Sequence, residues 1–192
     1  MTVTDVNVVK SAIFERPDDA NKGTLGSLLC VCGSYGMAGA AVMSAKGALR
    51  TGIGLAKCAL PRSIYPIVAQ TILESVYYSL NENADGRISK VNVPFLVSES
   101  CKSSATLVGC GLGVCDDTLK IVFSLIENST TPLVLDADAL NCVAKQPEIL
   151  LRKKAPIIIT PHPGEMSRLT GLATPLVNAE RERVALDFAQ KY

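Results

Sequence analysis

Short runs of apolar residues alternate along the chain with longer segments whose apolar residues recur at helical spacing. The apolar runs predict strands at 27–32, 55–60, 75–80, 105–111, 132–138 and 156–160. The segments between them predict helices at 38–50, 62–70, 117–128, 138–144, 164–171 and 176–191. Continuous apolar strands separated by helices are typical of a parallel sheet covered on both faces. The pattern therefore predicts an α/β fold with three α/β/α layers, a mostly parallel sheet and right-handed crossovers.

The composition agrees with one globular domain that has a large core. The chain has 192 residues, of which 48% are hydrophobic and 19% charged. The 19 basic and 18 acidic residues form no basic cluster, so we expect no nucleic-acid partner. No apolar run approaches the ~18 residues of a membrane span. The amino-terminal segment lacks a signal-peptide core, so we expect a cytoplasmic protein without a membrane partner.

The seven cysteines are expected to be reduced, structural thiols. Their number is odd, no C-x-x-C pair occurs, and the chain has one histidine. A zinc site normally needs closer ligand spacing. Most of the cysteines lie in apolar runs, where the thiol behaves as a small hydrophobic group.

The first strand end carries a glycine pattern. Gly33, Gly36 and Gly39 follow the run "SLLCVC" and precede an alanine-rich helix. Ligands of open α/β sheets bind at the carboxyl ends of the strands. The spacing matches neither the G-x-G-x-x-G of dinucleotide folds nor the P-loop. Glycine lets the backbone approach a ligand, and a helix start favours anions. A tight turn with close helix–sheet packing explains the same pattern, and both interpretations stay open.

Two further strand ends carry residues suited to a ligand. In "VGCGLG", Gly109, Gly111 and Gly113 follow a strand, although a turn that needs positive φ explains them equally well. In "LVLDADALN", Asp136 ends a strand and Asp138 lies two residues on. Carboxylates there can hold Mg²⁺ or a hydroxyl group, or can cap the next helix.

The sole histidine lies in a stiff segment, "ITPHPGEMSRLTG". Pro161 and Pro163 flank His162, and Glu165 falls in the first turn of the following helix. A rigid loop that places an imidazole and a carboxylate at the sheet rim is suited to holding a ligand. The alternative is a proline-rich turn with a surface histidine.

Taken together, these segments resemble one family, the nucleotide-dependent NAD(P)H-hydrate dehydratases of the ribokinase-like superfamily. The resemblance runs in order from about Asn21 to Tyr192. It rests on "NKGTLGSLLCVCGSYGMAGAAVMSAKGALRTGIG", "LVGCGLG", "PLVLDADALN" and "ITPHPGEMSRLTG". The elements K-G-T-x-G, M-x-G-A-A and T-P-H-P-G-E make it more specific than a glycine motif alone.

The resemblance implies a repair enzyme that acts on hydrated NADH or NADPH and forms a homo-oligomer. The hydrate hydroxyl is phosphorylated by ADP or ATP with Mg²⁺, and phosphate is then eliminated to restore the nicotinamide ring. Matching the motifs implies that Ala40, Gly111 and His162 contact the hydrate. The same rim includes Gly39, Ala41, Asp136 and Asn141, and Asp136 and Glu165 are the metal candidates.

The chain departs from the family in one respect. Members of the family carry a G-T-G-D-type loop whose aspartate is the general base, and no such sequence occurs here. The chain also stops in a helical pattern, "ERERVALDFAQKY". We therefore expect residues 1–192 to be a single incomplete domain, truncated at the C-terminus, without the nucleotide site and the base. The alternatives are a non-catalytic dinucleotide-binding fragment or pseudoenzyme and a kinase of a small alcohol such as a vitamin precursor. T-P-H-P-G-E and M-A-G-A-A disfavour the kinase.

Overall fold

A computed structural model of the chain describes Asp18, Ala20 and residues 23–192. Six parallel strands form its sheet: β1 Ser27–Val31, β2 Leu55–Pro61, β3 Val76–Leu80, β4 Ala105–Val108, β5 Leu133–Leu135 and β6 Ile157–Ile159. The helices are α1 Ala38–Arg50, α2 Tyr65–Thr71, α3 Val93–Cys101, α4 Asp116–Asn128, α5 Asp138–Val143, α6 Pro163–Thr170, α7 Thr174–Ala179 and α8 Arg181–Lys191. Two 3₁₀ segments lie at Lys90–Asn92 and Pro147–Arg152.

The strand order creates a crevice at one edge of the sheet. The order is β3-β2-β1-β4-β5-β6, so the chain builds outward from β1 to β3 and then returns to the other side of β1. The connection after β1 therefore leads toward one edge of the sheet, to β2. The connection after β4 leads toward the other edge, to β5. Such a switch in strand order opens a crevice at the carboxyl ends of the strands.

Alternate residues of the central strands supply two separate cores. Leu29 and Val31 of β1 pack into a large core that includes residues of α4, α5 and α6. Cys30 and Cys32 point to the opposite face and pack with residues of α1 and the segment around α2. This confirms the predicted three layers, with helices on both faces of the sheet.

Several predicted boundaries were wrong, for local reasons. The predicted strands 105–111 and 132–138 end at Val108 and Leu135, because the chain turns directly after them. The predicted helix 176–191 is two helices separated at Glu180. Helix α3 was not predicted, since Pro94 and the valines around it are poor helix formers; the proline lies in the first turn, where it is tolerated.

The outer edge of β6 pairs with no other strand of the part of the chain that the structure describes. Ile158 at its centre is 59% exposed. An apolar groove of about 450 Å³ runs between this strand and α8. The edge of the sheet at β6 is therefore apolar and exposed. Within residues 23–192, moreover, every helix is too short or too polar to cross a bilayer.

Candidate functional site

The four sequence segments with candidate chemistry lie side by side. They follow β1, β4, β5 and β6, and these strands are consecutive in the sheet. Register pairs Val31 with Val108, and Val108 with Leu135, so the strands end at nearly the same level. The sheet order thus makes one continuous rim of segments that are far apart in sequence.

The glycines after β1 have different roles. Gly33 has φ 82°, and a Cβ there would lie 2.7 Å from Ile64 Cδ1 and 3.1 Å from Ala41 Cβ. Close packing therefore requires Gly33, as the structural interpretation expected. Gly39 is exposed, and a Cβ there would meet no atom within 4 Å. The fold does not need Gly39, which leaves its surface free for a ligand.

Helix α1 begins at this rim without a side-chain cap. Met37 precedes the helix and makes no capping bond, and the first turn holds no acidic residue. The first N–H groups of a helix have no partner within it, and they carry a partial positive charge. The start of α1 therefore offers backbone donors to an anion, next to Gly39 and Ala40.

Ala40 and Gly111 meet across the first two rim segments. Gly111 has φ 65°, and a Cβ there would lie 2.7 Å from Ala40 Cβ. Ser34 Oγ donates to the Gly111 carbonyl at 2.8 Å, and Gly33 N–H donates to the Cys110 carbonyl at 2.8 Å. These bonds lock the segments after β1 and β4 together into a surface that we call the glycine cradle, formed by Gly39, Ala40 and Gly111.

Ala41 differs from its neighbours in the predicted set. Its side chain is 1% exposed and packs in the core against Gly33. A contact of Ala41 with a ligand stays a prediction, and it could involve the backbone alone.

A strained turn positions Asp136. Ala137 has φ 48° and ψ −113°, a conformation that suits glycine, and Ala139 N–H donates to the Asp136 carbonyl at 3.0 Å. A Cβ at Gly109 would lie 1.9 Å from that carbonyl oxygen, so the neighbouring segment touches the turn directly. Non-glycine residues in such conformations cluster at functional sites, where neighbours hold them in place.

The two aspartates bind different neighbours. Thr160 Oγ1 donates to Asp136 Oδ1 at 2.7 Å, and Cys110 Sγ donates to Asp136 Oδ2 at 3.3 Å. Gly113 N–H donates to Asp138 Oδ2 at 2.8 Å. Asp138 therefore ties α5 to the segment after β4, and no side chain caps α5. The capping interpretation of the aspartates was wrong.

Asn141 lies on α5 next to an arginine that sequence reasoning missed. Asn141 Nδ2 donates to Asp138 Oδ1 at 3.3 Å, and Arg168 Nε donates to Asn141 Oδ1 at 2.8 Å. Arg168 thus brings a positive charge to the rim from α6. No motif marks its position, because an arginine in the last turn of a helix is ordinarily a surface residue.

His162 and Glu165 cap helix α6. Gly164 N–H donates to His162 Nδ1 at 3.0 Å, and His162 N–H donates to Glu165 Oε2 at 3.0 Å. The His162 Nε2 atom lies 3.3 Å from Glu165 Oε1, and the ring remains 62% exposed. Sequence reasoning missed this pairing, although the H-P-x-E spacing resembles a capping box with proline in the first turn.

The metal assignment of Asp136 and Glu165 finds no support in these contacts. Glu165 is buried, and both of its carboxylate oxygens face His162. The two carboxylate oxygens of Asp136 accept hydrogen bonds from Thr160 and Cys110. Among the described residues, no group of three or more histidine, cysteine or acidic side chains could hold a metal. The assignment stays a prediction, and the residues present do not make a protein-only Mg²⁺ site.

Cys110 lies behind the cradle and packs against the core cluster that contains Cys32. All seven cysteines are free. A hydrogen bond from the Cys32 thiol holds the pKa of Cys110 below its usual range, although burial and Asp136 act in the opposite direction. The bond to Cys110 and burial raise the pKa of Cys32. Cys30 and Cys58 pair across β1 and β2, and burial raises the pKa of Cys58 to about 11.

Comparison with known proteins connects this geometry to a family. A sequence profile described as NAD(P)H-hydrate dehydratase matches residues 28–192. A bifunctional NAD(P)H-hydrate repair enzyme Nnr of Thermofilum pendens is 38% identical over 176 residues, which cover 92% of this chain and 34% of that enzyme. An ADP-dependent (S)-NAD(P)H-hydrate dehydratase of Neisseria meningitidis is 32% identical over 169 residues, 86% of this chain and 53% of that protein.

Solved structures agree on the fold. The ADP/ATP-dependent NAD(P)H-hydrate dehydratase of Bacillus subtilis, co-crystallised with ATP/Mg²⁺, superposes with a TM-score of 0.75 at 27% identity, over 95% of this chain and 61% of that one. A Streptococcus mutans protein without a described function superposes with a TM-score of 0.82 at 24% identity, over 100% of this chain and 64% of that one, and supports the fold alone. The chain spans about a third of the Thermofilum enzyme and about half of the Neisseria enzyme. With most of its length matched by the family profile, the chain belongs to the NAD(P)H-hydrate dehydratase family, which has the ribokinase-like α/β fold.

Proposed function

We propose that this chain is the substrate-binding part of an enzyme that restores NADH or NADPH from the hydrated dinucleotide. One observation carries the proposal. The uncapped start of α1, the glycine cradle and the exposed His162 ring lie on one rim. Such a rim combines backbone donors for a negatively charged group with a close-packed surface against which a flat ring can lie.

The described residues suggest how the hydrate would lie. The dinucleotide carries a diphosphate, and helix N-termini bind phosphate groups through backbone N–H donors. The start of α1 is the matching group on this rim. The hydrate ring would then pass over Ala40 and Gly111, where side chains are absent or small enough for close approach. His162 presents its ring from the far side of the rim, because Pro161, Pro163 and the cap of α6 fix its backbone.

In the proposed reaction, this chain holds and orients the hydrate hydroxyl. The hydroxyl is phosphorylated by ADP or ATP, and phosphate is then eliminated to regenerate the reduced nicotinamide. The similar Bacillus protein was crystallised with ATP/Mg²⁺, which supports a nucleotide co-substrate. A bound Mg²⁺ would neutralise phosphate charge. The described side chains do not form a complete site for it, and Asp136 and Glu165 stay the metal candidates of this chain.

The residues that would bind the donor nucleotide and supply the general base are not found among these 192 residues. The chain contains no G-T-G-D loop, and phosphoryl transfer needs a bound donor and a base as well as a substrate. We propose that these parts belong to a further polypeptide segment, that residues 1–192 form one incomplete domain, and that the chain by itself turns over negligibly. A cytoplasmic homo-oligomer is the setting that we propose for the enzyme.

Calorimetry of the purified chain with NADPH hydrate, unmodified NADPH and a vitamin-precursor alcohol tests the proposal. We expect saturable binding of the hydrate and no binding of the alcohol. Ala40→Leu fills the surface over Gly111 and should abolish hydrate binding. Binding of the alcohol alone would favour a small-alcohol kinase. Turnover of the hydrate with ADP or ATP and Mg²⁺ by this chain, at ~1 s⁻¹ or faster, would contradict the assignment of the base to another segment.

A further inference from the structure

We infer that Cys110 and Cys32 form a disulfide on exposure to peroxide and that this bond is a modification site directly behind the glycine cradle. Cys110 packs against the buried cluster that contains Cys32, and Cys110 Sγ donates to Asp136 Oδ2 at 3.3 Å. No such role follows from the family, and the pair takes no part in the proposed binding of the hydrate.

The backbone places the two residues at a distance that a disulfide can span. Val31 pairs with Val108, and Gly33 N–H donates to the Cys110 carbonyl at 2.8 Å, so pairing of the two segments continues past the strand ends. Regular pairing would direct the Gly33 N–H to the Gly109 carbonyl, so the shift by one residue places Cys110 rather than Gly109 opposite Cys32, at about the 4.8 Å spacing of neighbouring strands. Disulfides span Cα distances of about 4.4–6.8 Å. Both side chains face the same core, on the side of α1.

Exposure decides which sulfur reacts first. Cys32 is 0% exposed, whereas Cys110 is partly exposed at the rim. The Cys110 thiolate attacks one peroxide oxygen, giving a sulfenic acid and releasing hydroxide, or an alkoxide from an organic peroxide. The Cys32 sulfur then attacks the Cys110 sulfur and displaces hydroxide, which leaves as water with the Cys32 proton. Both thiols are oxidised, one peroxide is reduced, and the protein loses two hydrogen atoms.

The protein contains a matched control pair. Cys30 and Cys58 are direct partners across β1 and β2, on the same face of the sheet, and are 1% and 0% exposed. They are as close as the proposed pair but have no exposed sulfur. They should therefore stay reduced under conditions that oxidise Cys110. Cys101 is exposed, and its Sγ donates to the Asn128 carbonyl at 3.6 Å.

The disulfide would alter the cradle. Formation of the disulfide pulls the Cys110 sulfur away from Asp136. The Cys110 and Gly111 carbonyls accept the hydrogen bonds that hold the two segments of the cradle together, so a shift of Cys110 disturbs the cradle. We expect oxidation to weaken hydrate binding at least tenfold and dithiothreitol to reverse the loss. This consequence rests on the proposed function, whereas formation of the disulfide does not.

Treatment of the whole chain with hydrogen peroxide, followed by intact mass and peptide mapping, tests the disulfide. We expect a loss of two hydrogens, a peptide linking Cys32 to Cys110, and reduced Cys30 and Cys58. In Cys32→Ala, Cys110 should stop at the sulfenic acid, trapped as a dimedone adduct. A link between other cysteines, or Cys110 oxidised to the sulfinic acid in the unaltered chain, would overturn the disulfide.

Calorimetry of the reduced and oxidised forms tests the consequence separately. If the disulfide forms and both forms bind the hydrate equally, the effect on the cradle is refuted. If the reduced chain binds no hydrate, the proposed function fails, while the peptide map still decides the disulfide.

Discussion

Two substitutions of His162 separate its role in the fold from its proposed role in binding. In His162→Ala, Gly164 N–H loses its acceptor, the Nδ1 atom 3.0 Å away. Loss of a helix N-cap costs about 0.5–2 kcal/mol. For a domain of this size, each kcal/mol lowers the melting temperature by about 2–4 °C. We therefore expect His162→Ala to melt several degrees below the unaltered chain, because the structure makes this residue a cap as well as a candidate ligand contact.

His162→Asn should keep the cap and lose the ring. Asparagine is among the best N-cap residues, so its side-chain oxygen can accept from Gly164 N–H, and the melting temperature should stay within about 2 °C of the unaltered chain. The imidazole is lost in both variants. If its hydrogen bond to the hydrate is worth about 1–3 kcal/mol, both should bind about 5- to 150-fold more weakly.

Urea denaturation measures the stability of both variants, and calorimetry with NADPH hydrate measures their affinity. The expected result is a loss of stability in His162→Ala alone and a loss of affinity in both. Full affinity in His162→Asn would remove the imidazole from the site. Equal stability losses in both variants would refute the capping role.

Three further variants test the rim and its surroundings. Ala137→Gly should raise the unfolding free energy by about 0.5–1 kcal/mol in urea denaturation, because relief of the strain of an alanine at φ 48° exceeds the entropy cost of glycine; a loss would show that the turn is unstrained. Gly109→Ala should lose about 3 kcal/mol or more, since its Cβ would overlap the Asp136 carbonyl oxygen, and an unchanged melting temperature would contradict that packing. The hydrogen bond from Lys102 lowers the pKa of Glu99 below its ordinary value of 4.5, so this ion pair stabilises the fold above that pH and its contribution is lost as the pH falls further. In Glu99→Gln, the acid-side loss of unfolding free energy should be shallower, and an unchanged pH profile would count against the ion pair.

The positions of the rim segments were predictable from the sequence, whereas their order was not. The turns after β1, β4, β5 and β6 follow apolar runs that end at glycine, aspartate or proline, which are local signals. That β4 returns beside β1, rather than beside β3, depends on long-range packing that no local pattern encodes. Once the order is known, Ala40 and Gly111 are neighbours.

The limits of the sequence are clearest at α3 and at Ala137. Tertiary packing overrides the weak helix propensity of "VPFLVSES", because Leu96 fills the core from α3. The positive φ of Ala137 could not be predicted, since alanine ordinarily avoids that conformation. The H-P-x-E spacing of the capping box formed by His162 and Glu165 is visible in the sequence. The capping role was missed because both residues were interpreted as ligand contacts.

The most direct test of the account compares two glycines of the same helix. Gly39 and Gly47 both lie in α1, both are exposed, and a Cβ at either would meet no atom within 4 Å. Gly39→Ala and Gly47→Ala should each leave the fold intact, with equal or slightly higher melting temperatures. Gly39 belongs to the glycine cradle, so calorimetry with NADPH hydrate should show binding at least about tenfold weaker in Gly39→Ala, from a buried clash of about 1.4 kcal/mol or more. Gly47→Ala should bind as the unaltered chain does. Equal affinity in both variants would contradict the placement of the substrate on this rim.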